Sequence, residues 1–189
     1  MADRRIAMHP GLMVTVVPRI LLTGPPRAGK TTLVRRLAQE LAASGVVVGG
    51  FVTQEIREEG QRAGFTVEEI GGAQALLAHV ALAEGPRVGR YRVDVAAFES
   101  LALPAIDRAA QRGGVVIIDE LGQMELFSPA FIHSFDQLLG QAIPLVATIH
   151  ARQHPVTDAI KHRPGVELLE VRRGNAEDLL GRVIARLSR

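Results

Sequence analysis

Gly24-Pro25-Pro26-Arg27-Ala28-Gly29-Lys30-Thr31 is the stretch on which the reading of this 189-residue chain turns. It fits the pattern G-x-x-x-x-G-K-[ST]. It stands between a short apolar run, Arg19 to Thr23 (RILLT), and a segment with apolar residues at helical spacing, Thr31 to Ala43 (TTLVRRLAQELAA). Strand, loop and helix in that order gather backbone N–H groups and the positive end of a helix around one point, which suits a phosphate group. Gly24 and Gly29 give the loop its backbone freedom. Lys30 is placed to reach the β- and γ-phosphates of a nucleotide, and the Thr31 hydroxyl to ligate Mg²⁺. A glycine-rich turn that matched by chance would show no preference for lysine. This chain has 20 arginines and two lysines, and one of the two stands where a compact point charge belongs beside phosphate.

Outward from the loop, Gly45 stops the first helix and Val46 to Thr53 reads as a second β-rich run. Thr53 to Ile70 (TQEIREEGQRAGFTVEEI) reads as a hairpin that turns near Glu59 and Gly60 and protrudes from the sheet. Leu76 to Tyr91 is interrupted by Gly85, Pro86 and Gly89 and yields one or two short strands. Asp94 caps a helix that runs to about Arg112, with Pro104 expected to kink or break it. Val115 to Ile118 (VVII) is a continuous apolar run of the kind found in a strand buried on both faces, and Asp119 and Glu120 follow at once. Ser128 and Pro129 start a helix to about Gln141, and Leu145 to Ile149 is another buried strand. A short helix from Pro155 to Lys161, a strand from Val166 to Val171 and a final helix from the cap Asn175 to Leu187 complete the pattern. Alternating strands and helices imply an α/β domain with a mainly parallel sheet.

A doubly wound sheet brings the carboxyl ends of its strands together, so Asp119 and Glu120 are expected beside the phosphate loop. Asp119 would hold Mg²⁺ together with Thr31. Glu120 is placed to orient or deprotonate an attacking water, the alternative being an acidic residue of the next turn or a surface ion-pair partner. The nucleotide-binding segments are therefore Gly24 to Thr31 with Thr32, and Val115, Val116, Ile117, Ile118, Asp119, Glu120, Leu121 and Gly122. Lys30 and Glu120 are the first catalytic candidates.

Composition narrows the function classes. Hydrophobic residues are 47% and charged residues 22%, which fits a globular domain and points to no membrane partner. The net charge is +2 and aromatics are 4%, with arginines scattered and no dense basic stripe, so nucleotide phosphate is a better anion than nucleic acid. No cysteine is present, which excludes thiol chemistry and fits a reducing, cytoplasmic setting. Residues 1–13 are read as a loose tail and 14–189 as one domain, expected to act as a monomer.

With both motifs placed, the chain from about residue 19 to 187 resembles the small P-loop nucleoside-triphosphatases related to the cancer-related nucleoside-triphosphatase, a family with members in thermophilic microbes. Gly50-Phe51-Val52-Thr53-Gln54-Glu55-Ile56-Arg57, Arg62-Ala63-Gly64-Phe65 and Ile118-Asp119-Glu120-Leu121-Gly122-Gln123-Met124-Glu125-Leu126 carry the resemblance. It implies a RecA-like three-layer sandwich that hydrolyses the terminal phosphate of ATP, GTP and other nucleoside triphosphates with Mg²⁺ and loose base selectivity. The chain departs from the family at Arg27, where glycine is usual, and at Gln123, where lysine is common.

Arg57 and Arg62 flank the hairpin turn and are candidate arginine fingers, against a reading as solvated hairpin charges. His150 and Arg152 follow the strand Leu145 to Ile149, a position that suits a sensor of the γ-phosphate. His133, His154 and His162 lack metal-ligand spacing and are read as solvent-facing or helix-end residues. Phe127, Phe131 and Phe135 recur every four residues and are read as a core stripe. Two other functions use the same loop: a nucleoside or nucleotide kinase, in which only the acceptor differs, and a nucleotide-dependent switch that binds RNA or protein.

Overall fold

The computed structural model describes residues 17–188, so the 1–13 tail lies outside the described residues. Strand β1 (Arg19–Thr23) buries Ile20, Leu21 and Leu22, and the loop after it leads into helix α1 (Lys30–Ala43). Leu33, Val34, Leu37, Ala38 and Leu41 form the buried stripe of α1, the spacing of a helix with one face against a sheet. Gly45, at φ 79°, closes the helix, its N–H donating to the Ala42 carbonyl.

Strand β2 (Val48–Glu58) and strand β3 (Gln61–Glu69) form the expected hairpin. Its turn residues Glu59 and Gly60 both have positive φ, 48° and 78°, as a two-residue turn with the strands' own twist requires. The two β segments read around Thr53 are one strand of 11 residues. β2 pairs with the parallel sheet only over Val48 to Phe51, while its distal half pairs with β3, so the hairpin does extend past the parallel strands.

Strands β4 (Gln74–His79), β5 (Arg87–Val88) and β6 (Tyr91–Val93) continue antiparallel from β3. Helix α2 (Val95–Gln111) begins at Asp94, whose carboxylate accepts from the Ala97 N–H at 2.9 Å. The helix is not broken at Pro104. An interior proline costs about 3 kcal/mol, and burial of Phe98, Leu101, Ala102, Ala105, Ile106 and Ala109 on both sides of it offsets that cost.

Strand β7 (Val115–Leu121), a 3₁₀ turn (Glu125–Phe127), helix α3 (Pro129–Gly140), strand β8 (Leu145–Ile149), helix α4 (Pro155–Lys161), strand β9 (Glu167–Glu170) and helix α5 (Ala176–Leu187) follow. Ser128 caps α3, accepting from the Phe131 N–H at 2.9 Å. Asn175 does not cap α5 with its side chain, which instead accepts from the Arg172 N–H at 2.8 Å and ties the preceding loop. Glu177 and Asp178 in the first turn supply the favourable negative charge there. The phenylalanine stripe holds for Phe131 and Phe135 but not for Phe127, which is 40% exposed, because it sits in the 3₁₀ turn ahead of the helix.

The nine strands run β5-β6-β4-β3-β2-β7-β8-β1-β9. β2, β7, β8, β1 and β9 are parallel and the other four antiparallel, so the expected parallel core is extended into a mixed sheet. One core packs α1 and α5 on one face, and the other packs α2, α3 and α4 on the opposite face, giving three layers. Among the described residues no helix is long and apolar enough to cross a membrane.

Candidate active site at the carboxyl edge of the sheet

All five parallel strands end on one edge, which brings the loop after β1, the end of β7 and the end of β8 together. The loop is shaped by two glycines in different ways. Gly24 has φ 151° and packs so closely that a Cβ would lie 2.4 Å from the Val171 carbonyl oxygen, whereas Gly29 has φ 96° and open space around it. The Ala28 N–H donates to the Pro25 carbonyl at 3.2 Å and closes the turn between them. Arg27, between the two glycines, takes the left-handed conformation, φ 63°. Lys30 curls over the loop, its Nζ donating to the Gly24 and Pro25 carbonyls at 3.1 and 3.4 Å.

The Thr31 hydroxyl donates to Asp119 Oδ2 at 2.8 Å, linking two segments 88 residues apart. Thr53 donates to the same oxygen at 3.2 Å and Thr148 to Oδ1 at 2.6 Å. Three hydroxyls thus hold a carboxylate that is only 1% exposed. The donor set fits a hard cation: with its proton committed to Asp119, the Thr31 oxygen keeps lone pairs for a metal. Among the described residues no group of three acidic, histidine or cysteine side chains could hold a metal, so an ion here would take most of its oxygens from phosphate and water.

Glu120 lines the cleft beside Asp119. Burial, and next the Asp119 carboxylate, push its pKa above the usual carboxylate value, with Lys30 pulling the other way. Glu125 was given no role from the sequence, yet it is a buried acid of the same site. Burial first, and then the Glu120 carboxylate, push it up to about 8. Its Oε2 accepts from the Gly122 N–H at 3.1 Å. A Cβ on Gly122 would lie 2.7 Å from Glu120 Oε1 and 2.9 Å from Glu125 Oε2, so glycine is what lets the two carboxyls share this corner. The available signal was an acid inside the otherwise apolar run Met124 to Phe127.

A cleft of about 1220 Å³ collects Gly24, Pro26, Arg27, Gly29, Lys30, Thr31 and Thr32 with Glu120. His150 and Arg152 also line it. Burial, and then Lys161, lower the His150 pKa, so its ring is neutral at pH 7, with Nε2 3.2 Å from Thr157 Oγ1. Arg62 reaches the cleft, paired with Glu55. Arg57 does not line it; its guanidinium bonds Glu55 at 2.9 Å and the Gly60 carbonyl at 3.1 Å. Pro25 and Ala28 belong to the loop but not to the cleft wall.

Val115, Val116, Ile117 and Ile118, grouped with the nucleotide site by sequence, have side chains buried between the helix layers and belong to the core, as does Leu121. His133 and His162 are exposed and His154 is half-buried. Arg35, unremarked in the sequence, also lines the cleft and joins α1 to the hairpin through Glu68 at 2.9 Å.

A three-layer α/β domain with this loop between β1 and α1 and an Asp-Glu pair at the end of β7 defines the class: a P-loop nucleoside-triphosphatase. Comparison with known proteins makes the assignment particular. The family model described as NTPase matches residues 19–184. The chain is 41% identical over 179 residues to a cancer-related nucleoside-triphosphatase homolog of Mus musculus, covering 88% of this chain and 94% of that protein. It is 47% identical over 134 residues to a nucleoside-triphosphatase THEP1 of Thermofilum pendens, covering 70% and 74%. The crystal structure of THEP1 from Aquifex aeolicus superposes with a TM-score of 0.82 at 35% identity, covering 90% of this chain and 99% of that one. The chain belongs to this nucleoside-triphosphatase family, hydrolases that act on phosphoric anhydrides.

Proposed function

We propose that the protein is a Mg²⁺-dependent nucleoside-triphosphatase that hydrolyses the terminal phosphate of ATP, GTP and other nucleoside triphosphates to the diphosphate and phosphate. The observation that carries this reading is the Thr31 to Asp119 hydrogen bond with Glu120 next in the chain, because it joins the phosphate loop to the end of β7, where the proposed cation ligand and base stand. The N–H groups at the start of α1 and the Lys30 ammonium receive the β- and γ-phosphates. Thr31 and Asp119 would hold Mg²⁺, Asp119 through water. Held there, the ion would supply positive charge against the negative charge that develops on the phosphates during transfer.

Glu120 orients the attacking water and takes its proton; a pKa raised towards neutral improves a carboxylate as a base. His150 and Arg152, at the end of β8, face the same space from the third side, and Arg62 from the hairpin. The enzyme is read as acting on a free nucleotide, as a monomer, in the cytoplasm. The test is phosphate release from ATP, GTP, CTP and UTP, each with Mg²⁺ and with a chelator. All four should be hydrolysed, and chelation should slow each by about 10²-fold or more, the scale on which loss of one charge stabiliser acts. Undiminished release in chelator, or release from one nucleotide alone, overturns the reading.

A further inference from the structure

We infer that the cleft carries a second-substrate lobe beyond Glu120, shaped for a nucleoside that can replace water as the acceptor of the γ-phosphoryl group. The inference rests on the nucleotide placement proposed above. The strand order sets out the geometry. From the phosphate loop after β1 the sheet passes through β8 to β7, where Glu120 stands, and then through β2, β3 and β4 towards β5. The cleft follows that path, from Lys30 past Glu120 to Phe65 on β3, Leu77 on β4 and Val88 on β5. Glu120 therefore lies between the phosphate end and the far end. Space beyond it faces the γ-phosphate from the side of the nucleophile.

That space is too large for water alone. Phe65 lies two strands on from Glu120, about 10 Å at ordinary strand spacing. The whole cleft, about 1220 Å³, exceeds the range of roughly 300 to 1,000 Å³ usual for one small ligand. Its far wall is also the wrong chemistry for a site that handles only water. Phe65, Val88 and Met124 are half-buried apolar groups that leave surface on the cleft.

The far wall suits a flat, uncharged heterocycle. The Phe65 ring is fixed by Tyr91, edge-on at 5.3 Å, and by the Arg62 guanidinium 5.4 Å from its centroid. Gln54 and Gln123 line the same cleft, and each amide offers a donor and an acceptor side by side, the match for the edge of a base. On the cleft wall Arg62 is paired with Glu55, which also holds Arg57 outside the cleft, so the one carboxylate and one guanidinium that face the lobe are matched and favour a neutral nucleoside over a second nucleotide. In the transfer step the nucleoside hydroxyl oxygen bonds to the γ-phosphorus while the bond from that phosphorus to the β,γ-bridging oxygen breaks. The electron pair leaves with the diphosphate and the hydroxyl proton passes to Glu120. The products are a nucleoside monophosphate and a nucleoside diphosphate; with water in the lobe the same step gives phosphate.

The experiment incubates the full chain with Mg²⁺, ATP labelled at the γ-phosphate, and adenosine, guanosine, cytidine or uridine in turn. Labelled monophosphate is separated from labelled phosphate, and the ratio of the two is read. Labelled monophosphate should appear with at least one nucleoside. The ratio should fall by about tenfold or more in Val88→Trp, which fills the far wall, and be kept in Val88→Ile. Gln54→Ala, at an exposed position, reads the same ratio with little demand on folding and should lower it. If all label goes to phosphate whatever nucleoside is added, the acceptor lobe is refuted and the hydrolase reading stands. Label that leaves ATP by neither route refutes both.

Discussion

Gly24→Ala and Gly29→Ala change the two glycines of one motif, yet the structure assigns them very different costs. Gly29 sits at φ 96° with nothing within 4 Å of a new Cβ, so alanine there bears only the strain of a left-handed backbone, about 1–2 kcal/mol. Gly24 sits at φ 151°, and its Cβ would meet the Val171 carbonyl oxygen at 2.4 Å and the Val171 carbonyl carbon at 3.3 Å. A backbone atom cannot rotate away as a side chain can. The Val171 N–H also donates to the Thr23 carbonyl at 2.7 Å, which holds that segment beside β1. Backbone strain of about 1–3 kcal/mol and a forced shift of about 1–3 kcal/mol sum to about 4 kcal/mol. For a domain of this size each kcal/mol moves the melting temperature by about 2–4 °C, so Gly24→Ala should melt about 8–16 °C lower and Gly29→Ala about 2–8 °C lower. Calorimetry without nucleotide, with urea midpoints as a second reading, measures both. Equal destabilisation of the two variants, or a larger effect at Gly29, would refute the argument from the Val171 contact.

Glu125→Gln should change the pH dependence of stability. An acid whose pKa rises from 4.5 to about 8 on folding holds its proton more tightly when folded. Its contribution is complete below about pH 4.5 and is lost as pH rises through about 8. Melting temperature in Mg²⁺-free buffer should therefore decline for the unmodified protein relative to Glu125→Gln across that window; parallel curves would contradict a buried neutral Glu125. Phe131→Ala empties a fully buried site where the ring meets Phe98 at 5.2 Å and Phe51 at 5.7 Å. It should cost about 3–5 kcal/mol in guanidinium unfolding. The same change at Phe127, which is exposed, should cost no more than about 0.5 kcal/mol.

The phosphate loop, the α/β alternation and the hairpin turn were legible because each depends on local rules. Lys30 and Thr31 follow a fixed spacing, and Glu59-Gly60 is a pair whose backbone must turn left-handed. Other features depend on distant partners and left weak local signals. β5 and β6 have two and three residues, too few to show a period, so the antiparallel half of the sheet emerges only from pairing along β3 and β4. Val115 to Ile118 is apolar at every position, so its pattern alone does not reveal which residues reach the end of the strand. Asp119 and Glu120 stand where the register with β8 shifts, between Ile118 and Leu121. Glu125 was overlooked because its importance comes from sharing a corner with Glu120 around Gly122. Pro104 does not break α2, since a helix held by six buried residues need not stop where an isolated one would.

In the proposed enzyme one cleft holds a nucleoside triphosphate with Glu120 directed at the attacking water. The most direct test compares Glu120→Gln with the unmodified protein for both nucleotide affinity and phosphate release in Mg²⁺. The account predicts affinity kept to within a few-fold and release lowered by about 10²–10⁴-fold, the usual contribution of a positioned base. Release at the unmodified rate, or loss of nucleotide binding together with activity, would contradict it.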